Sequence, residues 1–321
     1  MIVAKTPLRI PLAGGLSDLK SFASQFGGVT VSSTINKYVY AVVGDNLEGQ
    51  FELRYQNIYE TAQEARQIKH PLIREALILT GLEQRPLTIS IIVDLAGESG
   101  LGTSGAITVS LLHALYRLKG EEVSKMRLLT EAAHIEVDIL EGASGYHDPS
   151  ICALGGLKLI EYQGSEVKPR DIAISPESKA LFEKSLLFFY SGHHAKSKPS
   201  LDLLSSHIRS AEPLLHEIKG LGYGLEQAFL SANLPKIAEI IGEQQRLKQL
   251  LPGKFIDDYV RDIVKRVRST GAYAQLPGGK ISAFVIVCCP NGEHAAVREA
   301  LKDLKEVYFQ LETEGTKATE I

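Results

Sequence analysis

The sequence predicts an α+β protein made of two domains in contact, and three observations carry that expectation. The first half runs through several apolar strands before its main helices. The second half opens and closes on strands, with a run of helices between them. A polar, proline-containing stretch, QGSEVKPRDIAISPESKA at 163–180, separates the two. The boundary is set at 168/169, giving domains 1–168 and 169–321. A length of 321 residues also exceeds what one core comfortably holds.

Residues 2–12, 29–35 and 38–44 are rich in Val, Ile and Tyr and are punctuated by Gly14-Gly15, Gly27-Gly28 and Asn36-Lys37, which predicts three strands. The segment GGLSDLKSFASQFGG between the first two should turn and carry a short helix. PLTISIIVDL (86–95) reads as a further strand that runs into GESGLGTSGA and then an apolar helix at 104–118. A second helix over 123–141 feeds the turn GASGYHDPS, and GGLKLIEY returns as a strand. Beyond the boundary come a strand at 185–190, the polar loop SGHHAKSKPS, and helices over 201–218, 222–232, 234–250 and 255–269. A strand at 281–289, a helix at 293–304 and a strand at 307–312 close the chain. That order resembles a split βαβ sandwich with helices on one face.

Composition narrows the function. Hydrophobic residues are 44% and charged residues 23%, as in ordinary globular proteins, and the net charge of −3 provides no general basic field for nucleic acid. No apolar run approaches the roughly 18 residues that span a bilayer, and MIVAKTPLRIPLAGG lacks the apolar core of a signal peptide. The expectation is a cytoplasmic protein with no membrane and no nucleic-acid partner, as a monomer or homodimer, acting on a small polar or anionic metabolite. Cys152, Cys288 and Cys289 form no ligand spacing and read as reduced core thiols.

The segment Gly97–Ala106 lies between a predicted strand and a predicted helix. Glycines allow the backbone to approach a ligand, and the free N–H groups opening a helix suit phosphate. Thr103 and Ser104 place hydroxyls where they could cap the helix, touch phosphate or coordinate Mg²⁺. No Lys follows the last glycine, so this is not a Walker A loop. On a helical wheel of 123–141, Arg127, Thr130, Glu131, His134, Asp138 and Glu141 share a polar arc. Glu136 falls in the middle of the apolar side, where a carboxylate needs a cation, either a metal or a buried Arg or Lys. Arg9, inside an apolar strand, likewise needs an anionic partner, which Asp148 or a phosphate would supply.

At these residues the chain resembles the GHMP kinase superfamily. SGLGTSGA is similar to its second signature, with Ala96 where a proline is expected, and TPLRIPLAGGLSDL (6–19) is similar to its first. GYHDP (145–149) followed by ALGG (153–156) resembles its G-x-x-D and A-x-x-G-G run. The resemblance implies the two-domain GHMP kinase fold: a ribosomal S5 domain 2-like N-terminal domain that binds ATP, and a ferredoxin-like C-terminal domain. It implies ATP phosphates held by Gly97, Ser99, Gly100, Leu101, Gly102, Thr103, Ser104 and Gly105, and Mg²⁺ held by Ser104 and Glu136. Asp148 would contact the reacting hydroxyl with Arg9 facing it. Gly14, Gly15, Asp18 and His147 would bind the sugar.

GGVTVSSTINKYVYAVV (27–43), FFYSGHHAKS and QLETEGTKATEI look like the heptose 7-phosphate kinase branch, which makes the 1,7-bisphosphate. Such a substrate requires a second phosphate pocket, for which His193 and Lys196 are the candidates; a charged loop can equally be solvated. One departure stands out. The third signature, normally glycine-rich, reads GAYAQLPGGKISAFVIVCC (271–289), keeping Gly278-Gly279 and inserting Lys280, either a phosphate contact or a surface residue. The implied function is an ATP-dependent kinase for the anomeric hydroxyl of a sugar phosphate. The alternatives are a GHMP kinase for fucose, another hexose, a uronate or a small alcohol, and a nucleotide-binding sensor without turnover.

Overall fold

The computed structural model describes residues 1–95, 99–142 and 145–321. In chain order the first half contains β1 (Ile2–Ala13), α1 (Lys20–Phe26), β2 (Gly28–Asp45), β3 (Phe51–Tyr55), β4 (Ile58–Ala62), α2 (Pro71–Leu79) and β5 (Leu87–Val93). Then come α3 (Thr103–Leu118), α4 (Lys125–Ala133), a π-helical turn (His134–Ile139), α5 (His147–Leu154), β6 (Leu157–Gln163) and β7 (Glu166–Asp171). The second half contains α6 (Pro176–Ser185), β8 (Leu186–Tyr190), α7 (Ser197–Ser206), α8 (Ile208–Leu230), α9 (Leu234–Lys248), α10 (Asp258–Ser269), β9 (Tyr273–Gln275) and β10 (Phe284–Cys288). It ends with α11 (His294–Ala300), β11 (Lys305–Glu306), β12 (Leu311–Glu312) and β13 (Lys317–Glu320).

The first sheet has the strand path β13-β1-β2-β5-β3-β4, with β6 and β12 also paired to β2 and β7 to β6. β1 shows why Arg9 sits where it does. Its first residues alternate buried and half-buried, whereas every residue from Thr6 to Ala13 is buried, because α3 and α5 pack with this part of the strand from one half and α8 and α9 from the other. The two strands expected at 29–35 and 38–44 are one strand, β2. Its register against β1 slips between Pro7↔Tyr38 and Leu8↔Ile35, so Asn36-Lys37 forms a bulge, not a turn.

The second sheet runs β11-β8-β10-β9, antiparallel throughout. Numbered by appearance in this half, that is the 4-1-3-2 order of the split βαβ arrangement expected from the sequence. The boundary expected at 168/169 falls inside β7. The chain end does not stay with the second sheet: β12 pairs with Ile35 and Thr34, and β13 pairs with residues 2–5 of β1. One hydrophobic core joins the halves, since Leu8, Val29 and Leu115 belong to the same cluster as Phe188, Ile241 and Phe284. Two smaller cores lie beneath the second sheet and around α7 and α8. Among the described residues no helix is long and apolar enough to cross a membrane.

Candidate active site

A cleft of about 380 Å³ opens between the N-terminus of α3, the loop after β1, the start of α5 and the third loop near residue 278. Each wall has a local cause.

Arg9 leaves the centre of β1 and is 3% exposed. Its backbone N–H donates to the Leu101 carbonyl (3.0 Å), which fastens the glycine loop to the strand. Its guanidinium donates to Asp148 Oδ1 from Nε (3.0 Å) and Nη2 (2.5 Å), and to the Gly100 carbonyl from Nη1. The anionic partner that an apolar strand demanded of this arginine is therefore Asp148. Asp148 lies in the first turn of α5 instead of in an Asp-Pro turn. Burial acts to raise its carboxyl, but Arg9 above all, aided by Lys280, holds it below the usual carboxylate range. It is an anion at neutral pH.

α3 begins after Gly102, which has φ of 77° and supplies no side-chain cap. The hydroxyls of Thr103 and Ser104 do not close the helix, so its first N–H groups face the cleft. Ser99 instead braces the loop, accepting from the Leu101 N–H (3.2 Å) and bonding Thr103 Oγ1 (3.0 Å). Gly105 lets α3 come against α5: a Cβ there would sit 2.6 Å from the Pro149 nitrogen and 2.7 Å from the Asp148 carbonyl carbon. Any larger residue would push Asp148 off its place. Gly97 and Ala96 lie outside the described residues.

The helix expected over 123–141 ends at Ala133 and widens into the π-helical turn that carries Glu136. Glu136 is 5% exposed and points toward α3. It accepts from Thr108 Oγ1 (3.1 Å) and is bonded by the Ser104 hydroxyl. Burial, with a further contribution from Asp148, pushes it up to about 7 against those two hydroxyl bonds. Among the described residues no Arg or Lys pairs with it, so the buried salt bridge left open by the sequence is not what this carboxylate makes. A buried carboxyl beside an exposed serine hydroxyl at a phosphate-type helix start is a donor set that fits Mg²⁺, with phosphate oxygens and water as the other ligands.

On the opposite wall, the loop after β1 presents Gly15, Leu16 and Asp18. Asp18 is 4% exposed; its two oxygens accept from the Leu16 N–H (3.1 Å) and the His147 N–H (3.2 Å). Burial and the Asp148 charge raise its carboxyl to about 6, against those N–H bonds. His147 Nε2 meets Ser32 Oγ at 2.5 Å, and burial with the Arg9 charge brings the imidazole down to about 3, so it is neutral. Leu16 holds φ of 83°, which costs a non-glycine residue roughly 1–2 kcal/mol. Gln244 on α9 helps fix the loop, accepting from the Gly14 N–H (2.8 Å) and donating to the Gly15 carbonyl (3.3 Å).

The altered third loop closes the cleft. Gly100, with φ of 74°, packs on it so tightly that a Cβ would lie 2.4 Å from the Pro277 oxygen, and Ser282 donates to the Ser99 carbonyl. Lys280 is 6% exposed and lines the cleft, so the surface placement left open for it does not hold. The two second-phosphate candidates lie away from this cleft. His193 is held by Asp257 (2.6 Å) and the Tyr259 ring, and neither His193 nor Lys196 lines the cleft; the residues that follow, Ser197 and Lys198 at the start of α7, do.

Sequence reading missed Gln244 and Lys248. Their signal was there: with Ile237 and Ile241 they continue the buried stripe of α9 at spacings of three and four. Polar residues in such a stripe deserve the suspicion given to Glu136.

Residues 58–156 match the family of GHMP kinases N terminal domain. Across 337 aligned positions the chain is 22% identical to the D-glycero-alpha-D-manno-heptose 7-phosphate kinase of Campylobacter jejuni, covering 100% of this chain and 99% of the relative. A D-glycero-D-manno-heptose 1-phosphate kinase from Bacteroides thetaiotaomicron superposes with a TM-score of 0.82 at 20% identity, covering 100% of this chain and 99% of that one. Streptococcus pneumoniae phosphomevalonate kinase, solved with phosphomevalonate and AMPPNP, gives 0.79 at 16% identity, over 97% of this chain and 100% of that one. An uncapped helix start after a glycine loop, facing a buried Arg–Asp pair, is thus set in a chain whose residues 58–156 match the GHMP kinases N terminal domain and whose fold is that of these kinases.

Proposed function

We propose that the chain is an ATP-dependent sugar kinase that phosphorylates the anomeric hydroxyl of a sugar phosphate, with D-glycero-D-manno-heptose 7-phosphate as the substrate and the 1,7-bisphosphate as product. The observation that carries this reading is the Arg9–Asp148 pair, which faces the open N-terminus of α3 across a cleft shared with Asp18. The full-length likeness to a heptose 7-phosphate kinase supports the choice of acceptor.

In this reading the N–H groups of Thr103, Ser104 and Gly105 bind the ATP phosphates. Ser104 and Glu136 would hold Mg²⁺, which when bound neutralises charge on the phosphate oxygens. Asp148, ionised and fixed by Arg9, accepts a hydrogen bond from the attacking hydroxyl and aligns it in line with the leaving group. Because its basicity is depressed, Asp148 contributes chiefly through position, with the proton passing late in the transfer. The Arg9 guanidinium lies beside the space where negative charge spreads in the transition state. Asp18 and neutral His147 recognise sugar hydroxyls, and the third loop excludes water by closing on Gly100. The cytoplasm is the matching compartment.

ADP release measured against heptose 7-phosphate, unphosphorylated heptose, fucose, galactose and mevalonate tests the proposal. Turnover should be highest with heptose 7-phosphate. Turnover only on an unphosphorylated sugar would replace the acceptor, and ATP binding with no turnover on any acceptor would make the chain a sensor.

A further inference from the structure

We propose that Lys248 is a phosphate-recognition residue of the cleft, its buried ammonium completed by a phosphoryl oxygen of a bound substrate. The inference deepens the kinase reading and rests on it for the source of the phosphate.

Lys248 ends α9, is 2% exposed and lines the cleft. Its Nζ donates to the Leu276 carbonyl (2.7 Å) and the Gly278 carbonyl (3.1 Å), pinning the third loop. Both acceptors are neutral. An ammonium has three donors, and among the described residues no carboxylate pairs with this one. A buried cation without a counter-ion is unfavourable, and the cost is relieved when an anion arrives.

The charged groups around it do not supply that anion. Arg9 on β1 is a second cation, and burial together with its charge brings Lys248 down to about 7. Asp148 on α5 is engaged by Arg9, and Asp18 by two backbone N–H groups. Lys198 on α7 is paired with Asp202. The cleft thus holds one unfilled ammonium donor with no anion assigned to it, and a phosphoryl oxygen matches it. Gln244, one turn before Lys248, holds the loop after β1, while the third loop rests on Gly100. The phosphate can therefore come from a phosphorylated acceptor or from the end of the nucleotide.

Titration calorimetry on the full chain, with EDTA to prevent turnover, separates these sources. Wild type, Lys248→Met and Lys248→Arg are titrated at pH 8 with ATP, heptose 7-phosphate and unphosphorylated heptose, in two buffers of different ionisation enthalpy to count protons. Lys248→Met should lose roughly ten- to hundredfold affinity for a phosphorylated probe and keep its affinity for heptose. Loss with heptose 7-phosphate alone assigns the acceptor phosphate, and loss with ATP alone assigns the nucleotide. Lys248→Arg should bind within a few-fold of wild type. Wild type should take up more of a proton on binding than either variant, since neither variant carries at position 248 a group that titrates near pH 8. Unchanged affinity of Lys248→Met for both phosphorylated probes overturns the proposal. So does an equal loss for all three probes, which would make Lys248 a brace of the third loop, or proton uptake in Lys248→Arg equal to that of wild type. If Lys248→Met does not fold, the proton count with Lys248→Arg decides. Lack of heptose 7-phosphate turnover in wild type sinks the acceptor reading but leaves the ATP arm intact.

Discussion

Replacing Asp148 with Asn separates its structural work from its chemical work. Arg9 directs both Nε and Nη2 at one oxygen, Oδ1, so an amide oxygen in the same place can accept both bonds. What disappears is the charge. Two ion-pair hydrogen bonds lose the charge on their acceptor, a loss of about 1 kcal/mol each, and a guanidinium only 3% exposed is left without its counter-ion. The sum, roughly 2–3 kcal/mol, falls below the 3–5 expected when a buried partner is deleted outright. Thermal unfolding by circular dichroism should show a folded variant with Tm lowered by about 3–5 °C. The reacting hydroxyl loses its anionic acceptor, so kcat in an ADP-release assay at saturating ATP and acceptor should fall at least about a hundredfold, equivalent to about 2.7 kcal/mol in the barrier. Turnover within about threefold of wild type, in a variant whose Tm has dropped as expected, would remove Asp148 from the chemistry and leave it only its ion pair.

Two further outcomes are expected. His147→Gln should make stability less sensitive to acid. The imidazole is held near 3 in the fold against about 6.5 unfolded, so its neutral form stabilises above pH 6.5 and that contribution is lost as pH falls toward 3. At pH 5 the wild type has lost about 2 kcal/mol through this group, and urea unfolding at pH 8 and pH 5 should show a smaller difference in the variant; an equal difference refutes the assignment. Glu136→Gln removes the carboxylate but retains an acceptor for Thr108, so the protein should fold while kcat falls at least about a hundredfold. Magnesium should then no longer raise the Tm of the ATP-bound protein, and a shift of wild-type size would dismiss Glu136 as a ligand.

The legible part of the site was the part written locally. Arg9, the Gly100–Gly105 run, Glu136 and Asp148 announce themselves because each breaks the pattern around it: a cation in an apolar strand, glycines before a helix, carboxylates on a buried face or after a turn. Strands and helices with clean periodicity were equally readable. β3, β4 and α2 went unassigned, since short strands carry little periodic signal. Asn36-Lys37 read as a turn because nothing local distinguishes a bulge from a break; the long pairing of β2 with β1, β5 and β6 carries the strand through.

By itself the sequence marked the glycine loop before a helix, the carboxylate on a buried face, the arginine in an apolar strand that calls for an anion, and the split βαβ order of the second half. Only the tertiary structure decided that Arg9 meets Asp148 and not a free anion, that Glu136 has hydroxyl partners in place of a salt bridge, and that the chain end completes the first sheet. It also decided that Lys248 and Gln244 join the cleft while His193 turns to Asp257. The physical reason is the same in each case. Periodicity and spacing report which face of an element is buried, but the partner across that face comes from a distant segment. That partner sets charge, hydrogen bonding and access.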